Sequence, residues 1–522
     1  MVTKFLPVAV LLLAGCTVGP DFQQPSLWSP ASWFTARPNP ARLEASMPVA
    51  EPVDAEWWKK FNDPVLTGLV RRVAAGNLDV RTSAVRLAES RAQRSVAGAD
   101  QFAQLNGNGS YTRQRLSKQG VISLVGGGAS SGGGSASSGS GGSPGAQSNG
   151  LGGRQGGFPS SVAGPSAIPA FDLFQGGFDA SWELDLWGRV RRSVESADAA
   201  LVASAEAQRA QLLSSIAEVA RDYMQLRGTQ DTLRITRDNI TAAQESVRLT
   251  TERARGGLAT DLDVANARAQ LESTAATVPQ LEQQEAQGIN AIGLLLGMPP
   301  AALQAELSPP KPVPPVPPRV PVGLPSELAR RRPDVRQAEA QLHSATADIG
   351  TAKADFYPKL TLSGSVALQA LQVRNLGFSA GTYSYGPSLT IPIFEGGRLR
   401  GTLALREAQQ QEAAVAYQRT VLQAFTDVDN ALIAYTAEQR RRDRLAAQMT
   451  QSRRAFNLAQ DQYRQGLTDF LQVLTAQRTM LAAEQQLSDS TATVSSNLVA
   501  LYKALGGGWE ADLPMDGPAP KS

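Results

Sequence analysis

The sequence predicts a mainly α-helical protein that also carries strands of a membrane β-barrel, built from two tandem copies of one unit. Three observations support this fold class. Long tracts lack proline, although the chain of 522 residues contains 32 prolines. Two parts of the chain repeat the same residues at a fixed separation. Short segments alternate apolar and polar residues, as strands with two different faces do.

The N-terminus predicts a secreted lipoprotein. Lys4 precedes an apolar run of about ten residues, which is too short to span a bilayer but suits a signal peptide. Leu13 to Cys16 resembles a bacterial lipobox, so residues 1–15 are expected to be removed and Cys16 to be lipidated. Thr17 follows, where an Asp would resemble an inner-membrane retention signal, so the outer membrane is favoured. The alternative is an ordinary signal peptide with a chance cysteine.

Composition excludes several classes of function. Lys+Arg number 50 and Asp+Glu 47, and a net charge of +3 does not indicate a nucleic-acid-binding protein. Cys16 and His343 are the only cysteine and histidine, which excludes a disulfide framework and the usual Cys/His zinc site. We therefore expect no enzyme activity, no cofactor and no bound metal, and a structural role for His343.

Helices are predicted in the tracts without proline, residues 65–143, 170–278 and 393–513. In the last tract apolar residues recur at an average spacing of 3.5, which is typical of coiled coils. Each copy is expected to hold a first helix, a very long helix and a returning helix. Their predicted ranges are 65–100, 189–255 and 260–296 in the first copy, and 325–354, 398–464 and 469–505 in the second.

The tandem repeat is visible as two constant offsets. Residues 209 positions apart match from Gly188 to Gly297, and residues 255 positions apart match from Asp79 to Ser110. The difference of 46 residues places an insertion in the first copy, where 21 of the residues 126–153 are Gly or Ser. The insertion, residues 126–157, is expected to lie outside the cell.

The repeat divides the chain into six parts. They are a signal peptide (1–15), a lipidated N-terminal segment (16–64), a first repeat (65–297), a Pro-rich linker (298–324), a second repeat (325–507) and a C-terminal tail (508–522).

Alternation predicts the strands. Apolar residues from Phe174 to Leu186 share one face, and so do those from Leu360 to Leu368 and from Tyr383 to Ile393. A soluble sheet on a core is one interpretation, but strands of about ten residues with a polar second face fit a membrane barrel better. Four strands cannot close a barrel and an open edge is costly in lipid, so three copies with twelve strands are expected.

Several motifs together resemble the outer membrane factor family, the TolC-like trimeric channels of tripartite efflux systems, and within it the NodT-type lipoproteins. The motifs occupy Cys16–Phe22, Trp57–Pro64, Leu294–Pro299, Arg332–Leu342, Asp355–Lys359, Phe394–Arg398 and Leu501–Trp509.

The resemblance implies a homotrimer with a twelve-strand β-barrel in the outer membrane, continued by a twelve-helix α-barrel tunnel in the periplasm with an equatorial belt. It implies passive conduction of drugs or other small toxic compounds, delivered by an inner-membrane resistance-nodulation-division (RND) pump through a periplasmic adaptor, the membrane fusion protein. The barrel and the lipid on Cys16 would hold the chain in outer membrane lipid.

Two sets of site residues follow. The turns between long and returning helices are expected to dock the adaptor, with six residues named: Gly257, Leu258, Thr260, Gly466, Leu467 and Thr468. Family analogy places the second copy's hairpin innermost, where a periplasmic gate is expected from Tyr463, Arg464, Asp469, Leu471 and Thr475. Arg464 is expected to pair with an acid across the hairpin. Alternatively, Leu471 packs inside the coiled coil and Asp469 only caps a helix.

Other functions stay open at this point. A trimeric coiled-coil adhesin or envelope spacer would share the heptads and strands without conducting. An outer-membrane duct for type I protein secretion or for metal efflux would share the whole architecture. Seven scattered methionines disfavour a specialised copper or silver exporter.

Overall fold

The computed structural model describes residues 17–25, 30, 32–33, 46–115 and 170–510. The signal peptide, Cys16 and the insertion 126–157 lie outside the described residues. The chain forms two compact units. One unit comprises residues 1–101, 185–358 and 391–522 and holds the helices; the other comprises residues 102–184 and 359–390 and holds the four longer strands.

The helices follow the predicted order. They are α1 (Pro64–Gly76), α2 (Leu78–Ala99), α3 (Arg189–Arg255), α4 (Asp261–Ala275), α5 (Val278–Leu295), α6 (Gln304–Leu307), α7 (Pro325–Arg331), α8 (Pro333–Ala354), α9 (Arg398–Gln465) and α10 (Phe470–Ala504). The long helices α3 and α9 contain 67 and 68 residues, in agreement with the repeat-based prediction. Among the described residues, no helix is both long enough and apolar enough to cross a membrane.

Three predicted helices are each broken once, which corrects the sequence prediction. The helix expected over 65–100 stops at Gly76, because the Asn77 side chain accepts hydrogen bonds from the Asp79 and Val80 amides and starts α2. The helix expected over 325–354 is divided before Pro333. The helix expected over 260–296 is divided before Val278, close to Pro279. Proline has no amide hydrogen and therefore belongs in a first helical turn.

The first-copy and second-copy helices pack on a shared apolar core in the helical unit. A short 3₁₀ helix, Trp57–Phe61, contributes three large aromatic side chains to this core, the buried Trp57, Trp58 and Phe61. The Trp57 ring stacks on Tyr502 at 5.2 Å between centroids, and its indole nitrogen donates to the Gly507 carbonyl at 3.0 Å. The N-terminal segment is therefore held against the end of the second copy.

A small parallel sheet in the helical unit was not predicted. Strand β1 (Met47–Val49) pairs with β4 (Arg319–Pro321), so the Pro-rich linker lies along the N-terminal segment. Next to this pair, the Tyr435 hydroxyl donates to Ser46 Oγ at 2.8 Å, which fixes the segment on α9. The linker thus has a defined place instead of acting as a free spacer.

The second unit is one antiparallel sheet of four strands in the order β2-β3-β5-β6. The strands are β2 (Gln104–Gln114), β3 (Phe171–Leu184), β5 (Lys359–Ala370) and β6 (Gly381–Thr390). β3 ends before Leu186, and β6 ends before Ile391 and Ile393 rather than including them, since Pro392 cannot donate to a strand ladder.

The predicted alternation of the two faces is present in the sheet. Phe178, Val366 and Tyr383 lie in one row across β3, β5 and β6, and all three are more than half exposed. The next row holds Asp179, Ser365 and Ser384, which point to the opposite face. One face is therefore apolar and the other polar, and both are open to solvent as far as the described residues reach.

Candidate functional site

The two predicted docking turns connect α3 to α4 and α9 to α10; we call them the first tip (Gly256–Thr260) and the second tip (Gly466–Asp469). Gly257 and Gly466 take positive φ angles of 74° and 77°, which L side chains adopt only with strain. After each glycine, an amide reaches back five residues to close the helix. Leu258 bonds to the Arg253 carbonyl at 2.8 Å, and Leu467 to the Gln462 carbonyl at 2.9 Å. The backbone turn is thus the same in both copies.

Both tips expose apolar side chains. Leu258 and Leu467 are 68% and 72% exposed, and Leu262 and Leu471, one helical turn later, are 68% and 59% exposed. These four exposed leucines, two on the turns and two on the helices that follow, form an apolar surface that no described residue covers. Thr260 is exposed and Thr468 half-buried.

The helix that follows each tip is capped differently. Thr260 and Asp263 form a reciprocal capping box, in which the Asp263 amide donates to Thr260 Oγ1 at 3.2 Å and the Thr260 amide to Asp263 Oδ2 at 3.0 Å. In the second tip, Asp469 accepts from the Gln472 amide at 3.1 Å. Asp469 therefore caps α10, as the alternative interpretation held, and its carboxylate is also exposed.

Two aromatic rings pack together beside the second tip, one at the end of α9 and one at the start of α10. Tyr463 and Phe470 are 3% and 2% exposed, with ring centroids 5.6 Å apart. Burial raises the pKa of the Tyr463 hydroxyl. The corresponding first-copy residues are Ala254 and Asp261, so this cluster belongs to the second copy alone. Tyr463, predicted as a gate residue, is thus buried against other residues of its own chain.

Arg253 joins the end of α3 to the end of α9, just before the two tips, and sequence reasoning missed it. Its Nη1 atom donates to the Tyr463 carbonyl at 2.6 Å and to the Arg464 carbonyl at 3.0 Å. Its guanidinium also lies 4.6 Å from the centre of the Tyr463 ring, within cation–π distance. The offset of 209 places Gln462 at the equivalent position, and this difference was the only available signal. We call this set of contacts the Arg253 clasp.

The remaining predicted gate residues face outward from the hairpin. The acidic partner of Arg464 is Asp461, one turn earlier on the same helix at 3.4 Å, and not an acid across the hairpin as predicted. The Arg464 carbonyl instead accepts from Arg253, which lies on α3 of the first copy's hairpin. Leu471 and Thr475 share an exposed face, with the Thr475 hydroxyl donating to the Leu471 carbonyl at 2.8 Å. Leu471 therefore does not pack inside the coiled coil of its own chain.

A second functional region is the segment just after Cys16. The Val18 amide donates to the Trp187 carbonyl at 3.1 Å, and Asp21 pairs with the buried Arg192 at 2.5 Å. Phe22 stacks on His343 at 4.4 Å between ring centroids.

Two further contacts fix that segment. His343 Nε2 lies 3.0 Å from a carboxylate oxygen of Glu195 on α3, so the histidine has a structural role here. A Cβ atom on Gly19 would lie 2.5 Å from the Gly350 Cα, so only glycine permits this approach to α8. Across the described ranges, no three His, Cys, Asp or Glu side chains are grouped as a metal site.

Known proteins resemble this chain over almost its whole length. It is 30% identical over 511 residues to the solvent efflux pump outer membrane protein SrpC of Pseudomonas putida, covering 97% of this chain and 98% of that protein. It is 31% identical over 504 residues to the pyoverdine export outer membrane protein OpmQ of Pseudomonas aeruginosa, covering 97% and 96%.

A solved structure of the outer-membrane channel OprN aligns with a TM-score of 0.81 at 32% identity, covering 95% of this chain and all of that one. The family model described as outer membrane efflux protein matches residues 69–298 and 324–507. The chain belongs to the outer membrane efflux protein family.

Proposed function

We propose that the chain is the outer-membrane exit duct of a tripartite efflux pump and conducts small toxic compounds passively from the periplasm to the exterior. The solvent efflux and pyoverdine export proteins that it resembles indicate the kind of cargo. The outer membrane is the location of its family. No side chain of the described residues is needed for chemistry in such a role, because the duct only supplies a path.

The observation that carries the proposal is the four-stranded sheet. Its apolar face suits lipid, its polar face suits a water-filled lumen, and its two edge strands each have one neighbour in the described chain. Unpaired strand edges are costly in lipid, so a closed barrel of several copies is the stable form. Three copies supply twelve strands, and their helices a tunnel.

Conductance is the direct test of the duct. Purified protein in a planar bilayer should give unitary currents, whereas an adhesin or spacer of the same fold would give none. Deleting the gene should increase susceptibility to a panel of solvents, antibiotics and dyes, and the compounds affected would identify the cargo. A protein without unitary currents, or a deletion strain with unchanged susceptibility, would contradict the proposal.

The adaptor is proposed to dock on the two tips, whose exposed leucines form an apolar rim. The glycines are poor test positions because a side chain at positive φ strains the turn itself. Leu258→Asp together with Leu467→Asp should abolish efflux while leaving trimer yield unchanged. Leu294→Asp is the matched control, since Leu294 is 70% exposed and lies on α5. Preserved efflux in the double variant would place the adaptor elsewhere.

The gate is proposed on the second tip, where Leu471 and Thr475 face outward on one side of α10 and threefold symmetry would turn each into a ring. Asp469 would add a ring of carboxylates that concentrates cations at the mouth. The Arg253 clasp supports a closed state, because it ties the second tip to the end of α3. An RND pump acting through the adaptor would open this end.

Lipidation of Cys16 is proposed as a further anchor beside the barrel. Palmitate labelling of cells should mark the wild-type protein and not Cys16→Ser, while the variant still inserts through its strands. An unlabelled wild-type protein would contradict the lipobox interpretation.

A further inference from the structure

The buried side of α10 changes character along the helix. Towards its C-terminal end, Val494, Leu498 and Leu501 belong to the large apolar core of the helical unit. Near the second tip, Val473 and Met480 belong to a separate apolar cluster. Between Met480 and Val494, the buried residues of α10 are Ala483, Glu484, Ser488 and Ser490. We call the last three the polar layer, since they separate the two apolar clusters.

Glu484 is the charged member of the polar layer and is only 7% exposed. Its Oε1 atom accepts from Nη2 of Arg453 on α9 at 2.5 Å. Its Oε2 atom accepts from the side-chain amide of Asn239 on α3 at 3.0 Å, and Asn239 is also buried. One carboxylate on α10 therefore binds both neighbouring helices.

The two serines of the polar layer repeat this arrangement. The Ser488 hydroxyl donates to Asp231 Oδ2 on α3 at 2.8 Å. The Ser490 hydroxyl donates to Glu438 Oε1 on α9 at 2.5 Å. Each neighbouring helix is thus joined to α10 by more than one side-chain hydrogen bond at this level.

Buried polar contacts restrict a helix more than apolar contacts do. Apolar burial has no preferred direction, so an apolar helix face can turn slightly against its neighbour at little cost. A buried carboxylate keeps its stability only while its donors stay in place, because an unpaired buried charge is costly. A single polar residue in the core of a coiled coil can fix the register of its helices for this reason. The polar layer therefore fixes the rotation of α10.

The gate residues lie on the side of α10 that faces away from Glu484. At about 100° per residue, Thr475 lies about 180° around the helix from Glu484, and Leu471 about 220°. Both residues are exposed, in agreement with this geometry. Holding Glu484 against α3 and α9 thus holds Leu471 and Thr475 outward.

The first copy has no equivalent of this contact. The offset of 209 places Ala275 at the position of Glu484. Ala275 is the last residue of α4, where the returning helix of the first copy is broken before α5. The carboxylate therefore belongs to the same copy as the proposed gate.

We infer that Glu484 is a positioning residue of the gate: by binding Arg453 on α9 and Asn239 on α3, it fixes the rotation of α10 and so the direction of Leu471 and Thr475. The inference rests on the gate of the proposed function and adds what orients its residues.

Replacing the carboxylate by an apolar side chain separates positioning from stability. Exchange of a buried ion pair for apolar groups is often neutral, and Arg453 is 54% exposed, so Glu484→Leu should leave thermal unfolding unchanged. The gate should open about tenfold more often in planar-bilayer recordings. Glu206→Leu is the matched control, since Glu206 is 1% exposed and is bound by Arg209 on α3 and Arg336 on α8. It should not change opening.

A charge exchange tests the pairing itself. Arg453→Glu should also increase opening, because two carboxylates then face each other. Adding Glu484→Arg restores opposite charges, and the Asn239 amide can bind either side chain because it holds both a donor and an acceptor. The double variant should open within about twofold of the wild-type frequency. A double variant that opens as often as the single variants would overturn the pairing.

A pair of cysteines tests the rotation of α10 without any current. Thr232 Oγ1 on α3 and Ser488 Oγ on α10 lie 3.4 Å apart. In a Cys16→Ser background, Thr232→Cys with Ser488→Cys should therefore form a disulfide within the chain after mild oxidation, detected by mass spectrometry of the joined peptides. Adding Glu484→Leu should slow this bond about tenfold, because α10 then turns. Adding Glu206→Leu should not.

The outcomes separate this inference from the proposed duct. A slower disulfide together with more frequent opening in Glu484→Leu supports the inference. Opening at the wild-type frequency, or a disulfide formed at the wild-type rate, would overturn it. A wild-type protein without unitary currents would overturn the duct and its gate, and a slower disulfide would still support the rotation of α10 being set by Glu484.

Discussion

The first and second tips have the same backbone turn but different supports. The first tip is closed locally by the Thr260–Asp263 capping box, and its nearest apolar side chains are exposed. The second tip rests on the buried Tyr463 and Phe470 rings and is bound by Arg253. The two copies of the turn have therefore diverged: the helix before the first tip supplies the donor Arg253, and the helix before the second tip supplies the carbonyls that accept from it. The difference predicts that loss of Arg253 loosens the second tip and leaves the first, with its own capping box, unchanged.

The largest effect is expected from Arg253→Ala. It removes two hydrogen bonds from a charged donor, a loss of about 2 kcal/mol, which corresponds to ~30-fold more frequent opening of the second tip. Hydrogen exchange of amides 462–469 should accelerate by that factor, and amides 257–263 should not change. Arg248→Ala is the control, since the described ion pairs of Arg248 are with Glu245 and Glu252 on its own helix. Equal acceleration at both tips would remove the distinction between them.

A second effect is expected at the leucines that follow each turn. Leu471→Ser should raise single-channel conductance and vancomycin sensitivity, because it removes a collar of three apolar side chains from the proposed gate. Leu262→Ser changes the equivalent and similarly exposed residue of the first tip and should leave both unchanged. If the two variants conduct alike, the second tip is not the innermost one.

A smaller effect separates the charge of Asp469 from its capping role. Asn caps helices about as well as Asp, so Asp469→Asn should leave hydrogen exchange of α10 unchanged and lower cation selectivity in reversal-potential measurements. Asp469→Ala should lower the selectivity equally and also loosen the first turn of α10 by about 1 kcal/mol. Unchanged selectivity in both variants would remove Asp469 from the gate.

The smallest effect is expected from Tyr463→Phe. The Arg253 contacts use the Tyr463 carbonyl and ring, and the Tyr463 hydroxyl is buried with no hydrogen-bond partner among the described residues. Because burial raises the pKa of this hydroxyl, the unfolded chain ionises first, and the folded protein loses stability as pH rises above about 10. Thermal unfolding should be unchanged at pH 7 and less sensitive to alkali in the variant. A large loss at pH 7 would mean that the hydroxyl has a partner.

Sequence patterns predicted the elements that repeat. The range of α3 was predicted to the residue, because Gly188 and Gly256 enclose a tract without proline. The alternating strands were predicted with both faces, although two strands end earlier than expected. In contrast, the break at Asn77 adds a distant contact to the local cap, since the Asn77 side-chain amide donates to the Leu295 carbonyl at 2.7 Å. Strands β1 and β4 have three residues each, too few to show the alternation of apolar and polar residues from which a strand is predicted.

The tips were found from the Gly-Leu pairs 209 residues apart, and all six proposed docking residues lie on them. Arg253 and its acceptors are 210 and 211 residues apart, and the acceptors are backbone carbonyls, which leave no trace in side-chain patterns. The predicted partner of Arg464, an acid across the hairpin, was therefore wrong: its side chain pairs with Asp461 and its carbonyl accepts from Arg253.

The Val18 amide is hydrogen-bonded to the carbonyl of Trp187, the residue preceding Gly188 at the start of α3. Two residues of extended chain span at most about 7 Å, so a lipid on Cys16, as proposed, would be attached within that distance of Val18. With Cys16 lipidated as proposed, the glycerol of its lipid marks the height at which the inner leaflet meets water. The anchor then fixes the distance between the membrane surface and the start of α3.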